Sequence, residues 1–320
     1  MRQLIKDLAL KGILGAYDLG ERFANGITST VVNEVIRRRY GIVVPLEHYY
    51  SPMPDVRSLK ASGSSFLIAS KLSGIDLRVQ QQLHNLVSLT NFKSELSELR
   101  SFSEVAALGY GPGYGEIEAA VLYCTIRLLK PRNIVEVGSG LSTYFIAEAI
   151  RRNETIGSPC KLTCIEPFPS PFLLNLSDER SINLVAEPVQ NVDIGIFQEL
   201  SEDDICFIDS THVSKLGSDV NRIYLDIFPE LGDGVRIHIH DIAFPFLCVS
   251  KEHPIFELFA LWNEAALVQA FLMFNSRFKI ELCLSYLHHT DPKAISEFYP
   301  SYDVNRHYPS SLWLRKQALS

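Results

Sequence analysis

The alternation of short apolar runs with helical segments, from residue 105 onward, is the feature that most constrains how this chain folds. Five apolar runs have the length of buried strands, near 133–138, 160–166, 182–187, 204–208 and 235–240. Segments of helical periodicity separate them. Parallel neighbouring strands need long crossover connections, which are normally helical. The pattern therefore predicts an α/β domain built on a mostly parallel sheet.

The C-terminal part of the chain breaks this alternation. A helical pattern at 262–275 is followed by the strand pattern SRFKIELCLSYLHH at 276–289 and by a second strand pattern, SSLWLRK, at 310–316. The segment between the two strand patterns is predicted to be a loop. Two strands joined without a helix are most simply antiparallel, so we expect an antiparallel pair at the end of the sheet.

The first part of the chain is organised differently. Helical patterns at 1–40 and 74–100 flank a stretch at 45–65 that is rich in proline, serine and aromatic residues. We therefore predict a mainly helical N-terminal extension over 1–104 and an α/β domain over 105–320. Charges every few residues near the N-terminus argue against a signal peptide or a membrane span.

Composition limits the partners that the chain can have. With 320 residues and 47% apolar content it can bury a large core. Its net charge of −7 provides no broad positive field for a phosphate backbone, so we expect no nucleic-acid partner. The six cysteines form no CxxC pair, and we interpret them as buried thiols of a cytoplasmic protein. The basic run at 37–39 fits a solvated amphipathic helix and leaves open a membrane-surface or partner-binding helix. The sequence also leaves open whether the chain forms a homo-oligomer.

The segment NIVEVGSGLSTYFIAEAI, residues 133–150, joins an apolar strand to an apolar helix through a turn with two glycines. Glycines in such a turn let the backbone approach a bound molecule, because no Cβ stands in the way. A nicotinamide dinucleotide fold favours GxGxxG, and Thr143 stands where the third glycine would be. The residues alone leave open a cofactor turn and an ordinary strand-to-helix turn.

The five alternating units, the terminal strand pair and the segment Glu136–Gly140 together resemble the class I S-adenosylmethionine-dependent methyltransferases. The resemblance covers about residues 105–317. It implies a Rossmann-like, seven-stranded and mostly parallel sheet with strand order 3-2-1-4-5-7-6, in which the last strand is antiparallel. It also implies S-adenosylmethionine as the cofactor.

This resemblance implies a cofactor site at the ends of the first strands. The acid before the glycine turn, Glu136, would hold the methionine ammonium. Glu166, at the end of the second strand, would accept both ribose hydroxyls, for which a carboxylate has the two oxygens that are needed. Gln190 is the candidate beside the adenine. The predicted cofactor-binding residues are Glu136, Gly138, Ser139, Gly140, Ser142, Glu166, Gln190 and Asp209.

The fourth strand pattern ends in Asp209, with His212 close behind, and the fifth ends in His240 and Asp241. These ends are similar to those of the catechol-type and sugar O-methyltransferases, in which acids after both strands bind a divalent cation. The resemblance implies Asp209, Asp241 and His240 as candidate ligands of Mg²⁺ or Mn²⁺, with manganese or iron better suited to a histidine. Ile242 stands where those enzymes have an asparagine or a second acid, which leaves the predicted metal site short of one ligand unless His240, His212 or a distant residue completes it.

The same resemblance makes Asp209, His212 and Asp241 the candidate catalytic residues, with His212 as the general base. An ordinary histidine pKa of about 6.5 suits that role. The alternative is that His212 only orients the following helix and that Asp209 only hydrogen-bonds nearby backbone.

We therefore predict an O-methyltransferase that acts on a hydroxyl of a small molecule or sugar. Loops with aromatic and histidine residues, at 47–55, 286–292 and 298–311, are predicted to cover the acceptor. Two alternatives stay open: an NAD-dependent oxidoreductase on a similar sheet, and a cofactor-binding module without turnover.

Overall fold

A computed structural model describes residues 37–39, 69–109, 113–180, 182–247 and 262–318. By its internal contacts the chain divides into two compact units, Met1–Gly63 and Ser64–Ser320. The described part of the first unit is helical. The predicted boundary between residues 104 and 105 stays a prediction. Most of the predicted N-terminal extension, including the loop at 47–55, lies outside the described residues.

The second unit is built on a seven-stranded sheet, which confirms the predicted fold class and the strand order 3-2-1-4-5-7-6. The strands are Asn133–Val137 (β1), Lys161–Ile165 (β2), Asn183–Val185 (β3), Ile205–Ile208 (β4), Arg236–Ile239 (β5), Phe278–Cys283 (β6) and Leu312–Lys316 (β7). The pairs from β3 to β5 are parallel, and β7 runs antiparallel to both of its neighbours, β5 and β6. One strand therefore runs against the others, as predicted.

Helices connect most of these strands. They are Val79–Leu89 (α1), Phe102–Ala106 (α2), Glu116–Leu129 (α3), Leu141–Glu154 (α4), Pro171–Arg180 (α5), Gly195–Gln198 (α6), Asp219–Arg222 (α7), Phe228–Glu230 (α8), Glu264–Leu272 (α9), Leu284–Thr290 (α10) and Pro292–Phe298 (α11). Tighter 3-10 segments occupy Thr90–Glu98 and Val189–Asn191, and a π segment, Ile223–Ile227, joins α7 to α8. None of the described helices combines the length and the apolar content needed to cross a bilayer.

The connection between β6 and β7 differs from the prediction. The strand pattern extends to residue 289, but the backbone becomes helical at Leu284, and α10 and α11 occupy much of the predicted loop. Leu284 and Leu287 are fully buried, and their spacing suits one face of a helix. Asp291 caps the start of α11, and Pro292 takes its first position. The strand pair is antiparallel even though helices join it.

Apolar layers cover both faces of the sheet. Successive residues of β4 show this, because Ile205 and Phe207 belong to one buried cluster whereas Cys206 and Ile208 belong to another. A strand that is buried on both faces shows no polar alternation, which is why it appears in the sequence as a continuous apolar run. The described cysteines are free, and burial raises the pKa of Cys206 to about 12. Cys248 lies outside the described residues.

Helix α1 covers the free edge of β6. The side-chain amide of Asn85 donates to the carbonyl of Glu281 at 2.9 Å. The buried Gln82 accepts from the backbone N–H of Cys283 at 2.8 Å. These contacts satisfy backbone groups that an edge strand leaves unpaired. Ligands of such sheets bind at a different place, outside the carboxyl ends of the parallel strands, which here are the ends of β1, β2, β4 and β5.

Candidate functional site

The glycine turn after β1 lies against the end of β4. Gly138 has a φ of +82°, and a Cβ at this position would lie 1.8 Å from the carbonyl oxygen of Asp209. Glycine alone fits both the left-handed backbone and this close approach. The N–H of Asp209 donates to the carbonyl of Val137 at 2.8 Å, and the N–H of Gly140 donates to Thr143 Oγ1 at 3.1 Å. The predicted cofactor turn and the predicted catalytic strand end are therefore in direct contact.

Glu136 lies beneath this turn. It is fully buried, and its carboxylate accepts hydrogen bonds from Ser142 Oγ and Thr143 Oγ1, both at 2.7 Å, and from Cys164 Sγ at 3.3 Å. Burial raises the pKa of Glu136 to about 7, although the hydrogen bonds act in the opposite direction. The predicted contact of Glu136 with a methionine ammonium stays a prediction. In the structure, Glu136 and Ser142 bond to each other and hold the turn to the start of α4.

Glu166 lies beside the same turn at the end of β2. Its carboxylate accepts from the backbone N–H of Ser139 at 3.3 Å and from that of Phe168 at 2.8 Å. A carboxylate has about four lone-pair sites, so these two bonds leave capacity for two hydroxyl groups. Gln190 is exposed and donates to the carbonyl of Gly217 at 3.3 Å. Its contact with the adenine stays a prediction.

Four side chains converge at the ends of β4 and β5. Asp209 Oδ1 lies 3.3 Å from His212 Nε2 and 3.4 Å from His240 Nδ1. Asp241 Oδ2 lies 3.4 Å and 3.5 Å from the same two nitrogens. Both histidines are buried, whereas 21% of the Asp209 side chain and 20% of the Asp241 side chain are exposed. We call these four residues the Asp/His cluster, and they include every predicted catalytic and metal-binding residue.

His212 is anchored through its other ring nitrogen. Nδ1 lies 2.7 Å from Glu264 Oε2, and the hydroxyl of Tyr224 donates to Glu264 Oε1 at 2.8 Å. With Nδ1 held in this way, the ring directs Nε2 at the two aspartates. The carbonyl of His212 also accepts from the N–H groups of Asn263 and Glu264. His212 therefore does orient a helix, but this helix is α9, which is distant in the sequence.

These surroundings change the pKa of His212. Burial by itself lowers the pKa, but the interactions with Asp209 and Glu264 and the charge of Asp241 outweigh it and raise the pKa to about 10. This pKa lies above the ordinary histidine value that suits a general base, and an imidazole that stays protonated at neutral pH is poorly suited to act as a base. For both aspartates burial favours a raised pKa, but the charge of His240 prevails and lowers it.

The ring nitrogens of His240 make no hydrogen bond in spite of their burial. His240 is 2% exposed, and neither of its ring nitrogens has a hydrogen-bond partner. Nε2 lies 3.6 Å from Glu118 Oε1, and the ring of Tyr114 packs on the imidazole with 4.7 Å between centroids. Glu118 in turn accepts from the N–H of Ser310 at 2.8 Å. Most buried polar groups are hydrogen-bonded, so the unsatisfied ring nitrogens of His240 are candidate ligand atoms.

The cluster fits a divalent cation. Among the described residues, one ligand atom each from Asp209, His240 and Asp241 lie within 4.8 Å of one another. Two carboxylates with an imidazole are a common ligand set for first-row divalent ions. One ring nitrogen of His240 would supply the imidazole ligand. The residues present therefore fit the metal that the resemblance implies.

The backbone is strained at two residues of the cluster. His212 has a φ of 58° and Asp241 a φ of 55°. Non-glycine residues seldom adopt this left-handed conformation, which costs about 1–3 kcal/mol and is concentrated at functional sites. The two strained residues are in contact, with 3.4 Å between His212 Nε2 and Asp241 Oδ2.

A cavity of about 260 Å³ lies beside the Asp/His cluster. Its lining includes His240, Asp241, Tyr114, Arg306, Tyr308 and Ser310. Part of the predicted covering loop at 298–311 therefore does border the site. A larger cavity of about 300 Å³ is lined by Arg151 and Cys160 among others and contains no residue of the cluster. The smaller cavity is the candidate position for an acceptor.

Sequence reasoning missed the two buried glutamates behind the histidines. Glu118 in α3 is 4% exposed and Glu264 in α9 is 1% exposed. Acidic residues are seldom buried unless they are paired. The available signal was an acid within an otherwise apolar helical pattern, as in EIEAAVLYCTI and WNEAALVQAF. The pairing with His240 and His212 depends on how the helices pack over the sheet, which local sequence does not specify.

Comparison with known proteins finds relatives over this same region. Residues 135–242 match the family model described as a methyltransferase domain. An uncharacterized protein of Archaeoglobus fulgidus is 26% identical over 181 residues, which is 54% of this chain and 80% of that protein.

Solved methyltransferase structures are similar at lower identity. The O-methyltransferase TomG of Streptomyces achromogenes, involved in tomaymycin synthesis and solved with S-adenosylmethionine, is 12% identical with a TM-score of 0.45, over 72% of this chain and 96% of that chain. The O-methyltransferase of Bacillus cereus, in complex with S-adenosylhomocysteine, is 13% identical with a TM-score of 0.42, over 72% of this chain and 100% of that chain. A Podospora anserina methyltransferase bound to S-adenosylhomocysteine is 16% identical with a TM-score of 0.40, over 87% of this chain and 100% of that chain.

The family-model match includes the glycine turn, Glu166 and the ends of β4 and β5, the parts of the chain on which the resemblance rests. The sheet has the strand order that this resemblance implies, with antiparallel β7 between β5 and β6. The match over residues 135–242 and the observed strand order therefore identify a methyltransferase domain of the class I, S-adenosylmethionine-dependent kind within this chain.

Proposed function

We propose that the chain transfers the methyl group of S-adenosylmethionine to a hydroxyl oxygen of a small molecule bound beside the Asp/His cluster. The observation that carries this proposal is the contact between the Gly138 turn and the end of β4. Donor and acceptor must approach within about 3–3.5 Å for the transfer. Adjoining strand ends, about 5 Å apart, allow the two sites to meet.

Methyl transfer depends on alignment more than on covalent help from the protein. The sulfonium is an activated donor, so the acceptor oxygen attacks the methyl carbon as the bond from carbon to sulfur breaks. S-adenosylhomocysteine leaves, and the hydroxyl gives up its proton. Asp241 lines the cavity, and its Oδ1 accepts from Ser310 Oγ at 3.1 Å. This carboxylate is therefore placed to receive the proton.

The Gly138 turn and Glu166 would bind the cofactor, and Asp209, His240 and Asp241 would hold a divalent cation such as Mn²⁺ or Mg²⁺. Such an ion, when bound, supplies Lewis acidity that lowers the pKa of a nearby hydroxyl. The partial exposure of both aspartates keeps the cluster accessible from the carboxyl edge.

Binding measurements separate this proposal from the oxidoreductase alternative. We expect micromolar binding of S-adenosylhomocysteine and no measurable binding of NAD. Glu166→Ala should weaken S-adenosylhomocysteine binding about 10-fold or more, because a hydrogen bond to a charged group contributes about 1.5–3 kcal/mol. Asp178→Ala, at an exposed acid of α5, is the control. Equal affinity in Glu166→Ala and the wild type, or a preference for NAD, would contradict the cofactor assignment.

Turnover separates an enzyme from a binding module. Radiolabelled S-adenosylmethionine, supplied with a panel of hydroxyl compounds with and without divalent ions, should yield a labelled product. Asp241→Asn should then reduce turnover by about 100-fold while S-adenosylhomocysteine binding is retained. Undiminished turnover in this variant would rule out the proposed role of Asp241.

A further inference from the structure

The spacing within the Asp/His cluster is unlike that of hydrogen bonds. The four separations between ring nitrogens and carboxylate oxygens are 3.3, 3.4, 3.4 and 3.5 Å. Charge-assisted N–H···O hydrogen bonds are about 2.7–2.9 Å long. His212 makes a contact of that length on its other nitrogen, at 2.7 Å from Glu264. The imidazole is therefore bonded on one side and merely adjacent to carboxylates on the other.

The same spacing is that of donor atoms that share one ion. Neighbouring ligands bound at about 2.0–2.2 Å from a cation lie about 2.8–3.6 Å apart in octahedral and tetrahedral geometry. Each of the four separations falls within that range. His212 Nε2 contacts both aspartates as His240 Nδ1 does, but it lies outside the set of ligand atoms from Asp209, His240 and Asp241 that are all within 4.8 Å of one another, so binding the same ion requires the His212 ring to shift toward it.

A second observation comes from the carboxylates behind the two imidazoles. Metal-binding histidines almost always donate their other ring N–H to a carboxylate, a carbonyl or water, which fixes the tautomer and the ring orientation. Glu264 is bonded to His212 in this manner and is itself held by Tyr224 at 2.8 Å. Glu118 lies 3.6 Å from His240 Nε2. The buried His240, whose ring nitrogens have no hydrogen-bond partner, points into the same cluster.

We infer that His212 is a fourth ligand of the cation rather than the base that deprotonates the acceptor. Asp209, His212, His240 and Asp241 would together bind a divalent first-row transition metal ion, because two imidazoles favour such an ion over Mg²⁺. Glu264 is then a positioning residue for His212. His212 supplies the ligand that the sequence, with Ile242 after Asp241, lacked. This inference extends the proposed function, and it is tested without methyl transfer.

The experiment measures metal content and ligand identity. Protein stripped with a chelator is loaded with Mn²⁺, Zn²⁺ or Mg²⁺, desalted and analysed by mass spectrometry of the metal. We expect about one equivalent of Mn²⁺ or Zn²⁺ to be retained and Mg²⁺ to be lost. Glu264→Gln should weaken metal binding about 10–100-fold, as expected for an outer partner, and His212→Gln at least as much. His84→Gln, at an exposed position of α1, should change nothing.

Pulsed electron paramagnetic resonance of the Mn²⁺ protein then counts the ligands directly. Nitrogen couplings from two imidazoles are expected in the wild type and from one in His212→Gln. Unchanged metal affinity and unchanged nitrogen couplings in His212→Gln would overturn the inference, as would equal retention of Mg²⁺ and Mn²⁺ by the wild type. If His212→Gln does not fold, the inference is tested by the number of nitrogen couplings in the wild type and by the metal affinity of Glu264→Gln. Coupling to one nitrogen alone, or wild-type metal affinity in Glu264→Gln, would then overturn it. Binding of S-adenosylhomocysteine in the same preparations tests the proposed function separately.

Discussion

Replacing Gly138 by alanine tests whether the contact between the glycine turn and β4 holds the site together. The φ of +82° costs an ordinary L-residue about 1–2 kcal/mol. The new Cβ would also lie 1.8 Å from the carbonyl oxygen of Asp209, a backbone atom that no rotamer change can move. Overpacking of this kind costs about 1–3 kcal/mol. We therefore expect Gly138→Ala to lower the free energy of unfolding by about 2–5 kcal/mol.

Gly157 offers a matched control. Its φ is +80°, but nothing lies within 4 Å of a Cβ built there. Gly157→Ala should therefore show the conformational cost alone, about 1–2 kcal/mol. The difference between the two variants isolates the close approach to β4, because the backbone strain is common to both.

Urea denaturation of both variants gives the two free energies, with equal slopes as the check that the unfolded states match. Binding of S-adenosylhomocysteine, measured where both variants are folded, should be weakened in Gly138→Ala and unchanged in Gly157→Ala. Equal destabilisation of the two variants, together with equal affinity, would refute the reasoning. In that case the contact with Asp209 would contribute neither to stability nor to the cofactor site.

Three further predictions concern stability. The pKa of Glu136 is raised in the fold from 4.5 to about 7, so its contribution to the free energy of unfolding is fully present below pH 4.5 and is lost as the pH rises through 7. Glu136→Gln should therefore remove a pH dependence of about 3 kcal/mol from the free energy of unfolding measured by urea denaturation across that window. An unchanged pH profile in this variant would contradict the assignment. Tyr224→Phe leaves Glu264 with one hydrogen bond fewer and should lower the free energy of unfolding by about 1 kcal/mol, whereas an unchanged value would show that the bond adds nothing. Gln82→Ala leaves the buried N–H of Cys283 in β6 without a partner and should lower the free energy of unfolding by about 1–3 kcal/mol. His84→Ala, at an exposed position, should lower it by less than about 0.5 kcal/mol. Similar losses in the two variants would contradict the edge-covering role of Gln82.

The order of the elements, and with it the sheet, was readable from the sequence because the signals are local. Each strand buried on both faces appears as a continuous apolar run, and each crossover helix shows its own periodicity. Gly138, Glu166, Asp209 and Asp241 could be singled out for the same reason, since each lies within two residues of a strand end. Parallel topology then brings such residues to one edge. The link between β6 and β7 escaped prediction because buried leucines fit a strand and a short helix equally well.

The roles of individual side chains were decided by tertiary packing. His212 has the position of a base in the sequence, but its partner Glu264 comes from a helix 52 residues away and fixes the ring toward two aspartates. Glu136 has the position of a cofactor ligand, but the hydroxyls of α4 enclose it. A pKa, an exposure and a hydrogen bond are set by whichever groups the fold brings within a few ångströms. Local sequence therefore named the candidate residues of the site, and only the packing of distant helices against the sheet determined what each of them contacts.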